Sequence, residues 1–213
     1  MNWFERVETR AREVSSESLS LSSLHLLCDA VLEGYPILYS KGWVSDILTG
    51  DFRGNIGKLE RVCAALKEAG LPATVAGALS RAAAKPGGAH DDEGIWGILW
   101  CCRTLRFVAE LLRSLGADEN LSISAAGRST YAKTLAAYHA PVFSWLVSAI
   151  VGWAPTRSWV LKHNLDGSSN VAATAACTRT ASVLTPVPEE IIRVLAAAGA
   201  DFPDRQSSLP FGL

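Results

Sequence analysis

Residues 44–69 read VSDILTGDFRGNIGKLERVCAALKEA. Ile47, Leu48, Ile56, Leu59, Val62, Cys63 and Leu66 recur at the three- and four-residue spacing of one helix face, and Gly70 supplies a stop. The same period runs through most of the chain. Residues 2–15 open with a helix, and SSLHLLCDAVLEGYPILY keeps helical spacing until Pro36 bends or ends it. Residues 73–84 are Ala-rich, KPGGAHDDEG is a loop, and Ile95–Leu115 is a long helix closed by Gly116. Residues 128–153 form a further helical stretch interrupted by Pro141, and Ser158–Leu165, Val171–Leu184 and Pro188–Ala198 add three shorter helices. No segment alternates as a strand would. Roughly eight helices in 213 residues, with no repeat and no dividing linker, predict one all-α layered domain over residues 1–213.

Composition limits what such a domain does. Ala, Val, Ile, Leu, Met, Phe, Trp, Tyr and Cys supply 49% of residues and charged side chains 19%, below the roughly one quarter usual for charged residues. That apolar content excludes a disordered chain. Twenty Lys and Arg against 21 Asp and Glu leave a net charge of −1, which disfavours nucleic acid as a partner. The longest uncharged run, Ala140–Thr156, has seventeen residues with two prolines, a glycine and two serines. A membrane span needs about 20 predominantly apolar residues. The charged start MNWFERVETRARE is not a secretory leader. Five cysteines without metal-ligand spacing read as reduced thiols, so the expectation is a cytoplasmic protein without metal or cofactor.

Three polar segments stand out on these apolar helices. Asp51, Asn55 and Lys58 fall on one helix face, offering an acceptor, an amide and a cation in a row. Their bland reading is a solvated face with an ion pair between Asp51 and Lys58. Gly54 and Gly57 cost that helix roughly 1 kcal/mol each and suggest close approach by a neighbour or ligand. Trp96, Trp100, Arg103 and Phe107 form a second stripe, read either as core with a snorkelling Arg or as an indole platform for a sugar ring. His139 closes a helical run in Tyr138-His139-Ala140-Pro141, as a core residue or a ligand-binding one.

Taken in order, D-x-x-x-N-x-x-K-L at 51–59, L-W-x-x-R-x-L-R-F at 99–107 and Tyr138-His139 resemble the glycolipid transfer protein family. W-A-P-T-R at 153–157 matches a turn in the same family. The resemblance implies a two-layer helical sandwich that holds a sphingolipid, with its head group at the surface and its chains in an apolar tunnel. On that resemblance Asp51 accepts from the ceramide amide N–H, and His139 donates to the ceramide carbonyl. Asn55 and Lys58 bond the first sugar, and Trp100 stacks beneath it. Arg103 is an accessory head-group contact. Ile37, Val44, Leu48, Phe107, Leu111 and Leu135 are candidate tunnel lining. A phosphate-carrying branch would call for basic residues at positions 55 and 100, where this chain has Asn and Trp. The implied function is transfer of a glycosphingolipid between membranes without chemistry, by a monomer that touches membranes only transiently. A non-transferring sensor, a carrier of phosphate- or sulfate-headed sphingolipid, and a hydrolase using Asp51 and His139 are the competing readings. Pro141 stands where many family members carry a membrane-docking aromatic, which shifts that role to Trp145 and Trp153, with Trp159 nearby. The tail SSLPFGL either folds over the tunnel mouth or stays unfolded.

Overall fold

The computed structural model describes residues 1–16, 18–34, 43–140, 144–145, 147, 151, 154–164 and 169–202, with backbone alone for residues 16, 43–48 and 161–164. The described elements are α1 (Trp3–Ser16), α2 (Leu21–Leu32), α3 (Trp43–Glu68), α4 (Val75–Ala83), α5 (Glu93–Ala117) and α6 (Ile123–Thr134), then a 3-10 turn (Ala136–Tyr138), α7 (Arg157–Asn164), α8 (Asn170–Leu184) and α9 (Pro186–Ala197). Extended pairing among the described residues is limited to one bridge between Ser20 and Thr74. The protein is an all-α two-layer sandwich.

Helix α5 is the hub, with α3, α6, α8 and α9 packed on it. Its start is fixed by Asp92, whose carboxylate accepts from the Gly94 and Ile95 amides at 2.9 and 3.1 Å. Arg81 and Lys85 reach the same buried carboxylate at 2.9 and 2.7 Å. Burial would raise the Asp92 pKa, but the Lys85 bond, the Ile95 amide and Arg81 together hold it below its usual value. Its other end is held by Arg157 of the W-A-P-T-R turn, which donates to Leu115 O at 2.8 Å and Asp118 O at 3.2 Å. One buried cluster runs through α1 to α9 around α5. A smaller cluster of Tyr131, Val147 and Val151 lies beside it, and Phe107 packs against both.

The structure corrects three expectations. The helix foreseen over 128–153 begins at Ile123, because the Ser122 hydroxyl accepts from the Ala125 amide at 3.1 Å, and it ends at Thr134. A 3-10 turn follows, and His139 is extended (φ −99°, ψ 143°), so the break precedes Pro141 rather than falling on it. A chain approaching proline is driven out of the helical region one residue early, and here it has left it sooner. Gly54 and Gly57 are not points of close helix approach: a Cβ on Gly54 meets nothing within 4 Å, and one on Gly57 meets only Arg61 Nη1 at 3.6 Å. The close approach is made by α5 instead. A Cβ on Gly97 would lie 2.6 Å from Lys58 Cβ and 3.2 Å from Asn55 O, and one on Gly94 would lie 2.8 Å from Val62 Cβ.

Alanine substitution therefore separates the glycines. Gly97→Ala is expected to lower stability by about 1–3 kcal/mol through overpacking. Gly54→Ala is expected to raise it by about 0.5–1 kcal/mol, since only helix propensity changes. Urea unfolding of both variants measures this, and equal effects would refute the packing assignment.

Candidate functional site

The contact at Gly97 also fixes which parts of α3 and α5 face each other. Residue 94 meets Val62 and residue 97 meets the Asn55–Lys58 turn, so the two helices run antiparallel. At that register the next turn of α5, carrying Trp100, lies level with the turn that begins at Asp51.

On the α3 side, Asn55 is buried and donates from Nδ2 to Asp51 O at 3.1 Å. Lys58 Nζ donates to Asn55 Oδ1 at 3.2 Å, so the cation is directed to the amide and not to Asp51. The expected ion pair between Asp51 and Lys58 is thus replaced by a chain of hydrogen bonds. Asp51 keeps accessible surface, yet desolvation by its neighbours raises its carboxyl above the ordinary 3.8, with Lys58 opposing the shift. A carboxylate in that condition is stabilised by an added N–H donor.

On the α5 side, the half-buried Trp100 indole stacks on the His139 imidazole, with centroids 5.2 Å apart and planes 11° from parallel. Tyr138 meets Trp100 edge-on at 6.5 Å. The Tyr131 hydroxyl lies 2.7 Å from His139 Nδ1 and 3.2 Å from Ser144 Oγ. Burial first, and the Arg103 charge second, push the His139 pKa down from 6.5 to about 4, so the ring is neutral at neutral pH.

Arg103 does not snorkel. It is 1% exposed, and its guanidinium carbon sits 3.7 Å from the Tyr138 ring centroid and 5.1 Å from that of Trp100. Its Nη2 donates to Asp201 Oδ1 at 3.0 Å and to the Phe202 carbonyl. Phe202 in turn packs on Trp96 and His90, with centroids 4.9 and 5.0 Å away. Arg106 forms a bidentate pair with Glu189 at 2.6 and 2.7 Å.

The structure therefore brings Asn55 to Lys58 and Trp100 to His139, and the α3–α5 register sets Trp100 level with the turn that begins at Asp51. Among the lining candidates, Leu111 belongs to the main core, while Phe107 and Leu135 pack partly buried against the smaller cluster. Ile37 and Trp153 lie outside the described residues, as does the 207–213 tail, and Val44 and Leu48 are described in backbone alone. Trp145 is 73% exposed, whereas Trp159 packs against the core. Sequence reasoning missed Tyr131, Ser144, Asp201 and Phe202. Tyr131 follows the helical period of α6, and Asp201 reaches Arg103 from the far end of the described chain, so no local pattern marks either.

The glycolipid transfer protein family model matches residues 22–164. The chain belongs to the glycolipid transfer protein family. Members of the family are lipid transfer proteins rather than enzymes, and the fold is that of sphingolipid carriers. Mouse ceramide-1-phosphate transfer protein in its apo form superposes with a TM-score of 0.79 at 16% identity, over 95% of this chain and 99% of that one. FAPP2, described as selecting simple glycosphingolipids through this fold, gives 0.74 at 17% identity over 97% and 100%. The fungal glycolipid transfer protein HET-C2 gives 0.73 at 15% identity over 88% and 91%. No curated protein matches by sequence. The solved relatives thus include carriers of sugar-headed and of phosphate-headed sphingolipids. No helix among the described residues is long and apolar enough to cross a membrane.

His139 makes the fold pH-sensitive in a defined direction. The unfolded chain takes up the imidazole proton first, so the stability contributed by the neutral ring is complete above about 6.5 and is lost as pH falls toward about 4. His139→Gln is expected to flatten the decline of Tm over that interval relative to the unaltered protein. Parallel declines in the two proteins would refute this.

Proposed function

We propose that this chain is a carrier of neutral glycosphingolipids. The observation that carries the reading is the Trp100 indole stacked on a neutral His139, at the level of the Asp51 turn on the neighbouring helix. A sugar ring presents a C–H face to an indole and hydroxyls to an amide and an ammonium. A phosphate would instead call for cations, and Arg103 and Arg106 are each already paired with a carboxylate.

The ceramide amide then meets complementary groups. Its N–H donates to the Asp51 carboxylate. Its carbonyl accepts from His139 in the tautomer that carries the ring proton on Nε2. An amide left without these partners in an apolar pocket would cost about 1–3 kcal/mol. The hydrocarbon chains enter apolar lining to which we assign Ile37, Val44, Leu48, Phe107, Leu111 and Leu135. The exposed Trp145 touches the membrane surface during exchange, with Trp153 beside it in sequence. The working unit is a single domain over 1–213, monomeric and cytoplasmic, in keeping with five free thiols.

Transfer of galactosylceramide between vesicle populations tests the site. Trp100→Ala and Asp51→Val are each expected to reduce transfer by about tenfold or more while leaving helical content unchanged. Undiminished transfer by either variant removes the role assigned to that residue. Uptake without delivery by the unaltered protein would fit a lipid sensor instead.

Trp145→Ala is expected to lower partitioning onto phosphatidylcholine vesicles several-fold without changing the thermal midpoint, because the indole is solvent-exposed in the free protein. Cosedimentation measures it, and equal partitioning would assign docking elsewhere.

A further inference from the structure

The neutral-sugar reading leaves a buried guanidinium beneath the platform, and the structure shows what holds it. Arg103 is 1% exposed and lies between the Trp100 and Tyr138 rings, while Asp201 is partly exposed. The Asp201 carboxylate accepts from Nη2 at 3.0 Å, and the Phe202 carbonyl accepts from the same nitrogen. The backbone at Asp201 is anchored on both sides. It sits between α9 and Phe202, and the Phe202 ring is wedged against Trp96 and His90. Arg106, one turn further along α5, is likewise held by Glu189. The cations of α5 beside the platform thus face carboxylates contributed by or just beyond α9.

We infer that Asp201 is a specificity-determining residue that bars anionic head groups by neutralising Arg103. The inference rests on the neutral-sugar reading of the same site. A phosphate or sulfate placed over Trp100 would otherwise find a poorly hydrated guanidinium within reach, a strong attractor for an oxyanion. With Asp201 in place, that charge is spent within the protein, and an arriving anion meets the repulsion of the carboxylate instead. An uncharged sugar meets neither effect. Selectivity of this kind comes from the element that repels the competitor as much as from contacts to the preferred ligand.

The test compares uptake of galactosylceramide, sulfated galactosylceramide and ceramide-1-phosphate from phosphatidylcholine vesicles by the full chain. The unaltered protein is expected to favour galactosylceramide over both anionic lipids. Asp201→Asn, nearly the same shape, is expected to narrow that preference by about tenfold, with the gained uptake weakening as salt is raised. Asp201→Glu should keep the preference, and Arg103→Gln combined with Asp201→Asn should abolish the gain. An unchanged ratio in Asp201→Asn, or a gain that survives loss of Arg103, overturns the inference while leaving the neutral-sugar reading intact. Failure of the unaltered protein to take up galactosylceramide overturns that reading and the inference with it. If Asp201→Asn does not fold, Asp201→Ser carries the same comparison, and loss of folding in both replaces the specificity role with a structural one.

Discussion

The close contact of α3 with α5 at Gly97 is the constraint on which the site depends. With no side chain there, Lys58 Cβ and the Asn55 carbonyl press directly against the α5 backbone. That closeness fixes the axial register of two long helices, and the register sets the turn that begins at Asp51 level with Trp100. Neither helix could be re-aimed independently. The start of α5 is anchored by the buried Asp92 with its two cations, and its end by Arg157. A binding face assembled from two rigid helices needs such anchoring, because a displacement of about 1 Å spoils hydrogen-bond geometry.

Arg103 is the second constraint, of an electrostatic kind. Burying a guanidinium is tolerable only if its charge and its donors are met. Asp201 balances the charge and, with the Phe202 carbonyl, accepts from Nη2, while the faces of Tyr138 and Trp100 flank the guanidinium. The arrangement ties the residues beyond α9 to the centre of the sandwich. It also keeps His139 neutral, since burial and the neighbouring positive charge both oppose a second proton. A neutral imidazole carries one N–H, and Tyr131 at 2.7 Å from Nδ1 bears on which nitrogen holds it.

Much of this was legible in the sequence, and the reason is periodicity. Apolar spacing located the long α3 and α5 helices and put Asp51, Asn55 and Lys58 on one face, because that geometry is local. Trp100 and His139 stood out as polar-tipped rings in apolar company, although their stacking could not be read from spacing. Local reasoning failed where the partner lies far along the chain. Arg103 looks like a snorkelling side chain until Asp201, 98 residues away, is brought to it. Gly54 and Gly57 look like a contact surface, whereas the contact belongs to Gly97 on the opposite helix. Pro141 looked like the helix breaker, but the chain has already turned at Leu135, and that earlier turn puts His139 against Trp100.

The apolar excess of the chain acquires a role within this arrangement. Among the described residues the main core closes around α5, and Tyr131, Val147 and Val151 cluster beside it, with the partly buried Phe107 packed against both. On the proposed function, part of the apolar lining receives hydrocarbon, at about 0.8 kcal/mol for each CH₂ removed from water. The head-group site then adds selection to that affinity. Its polar groups decide which lipid is admitted, and the packing of α3 on α5 holds them where that decision is made.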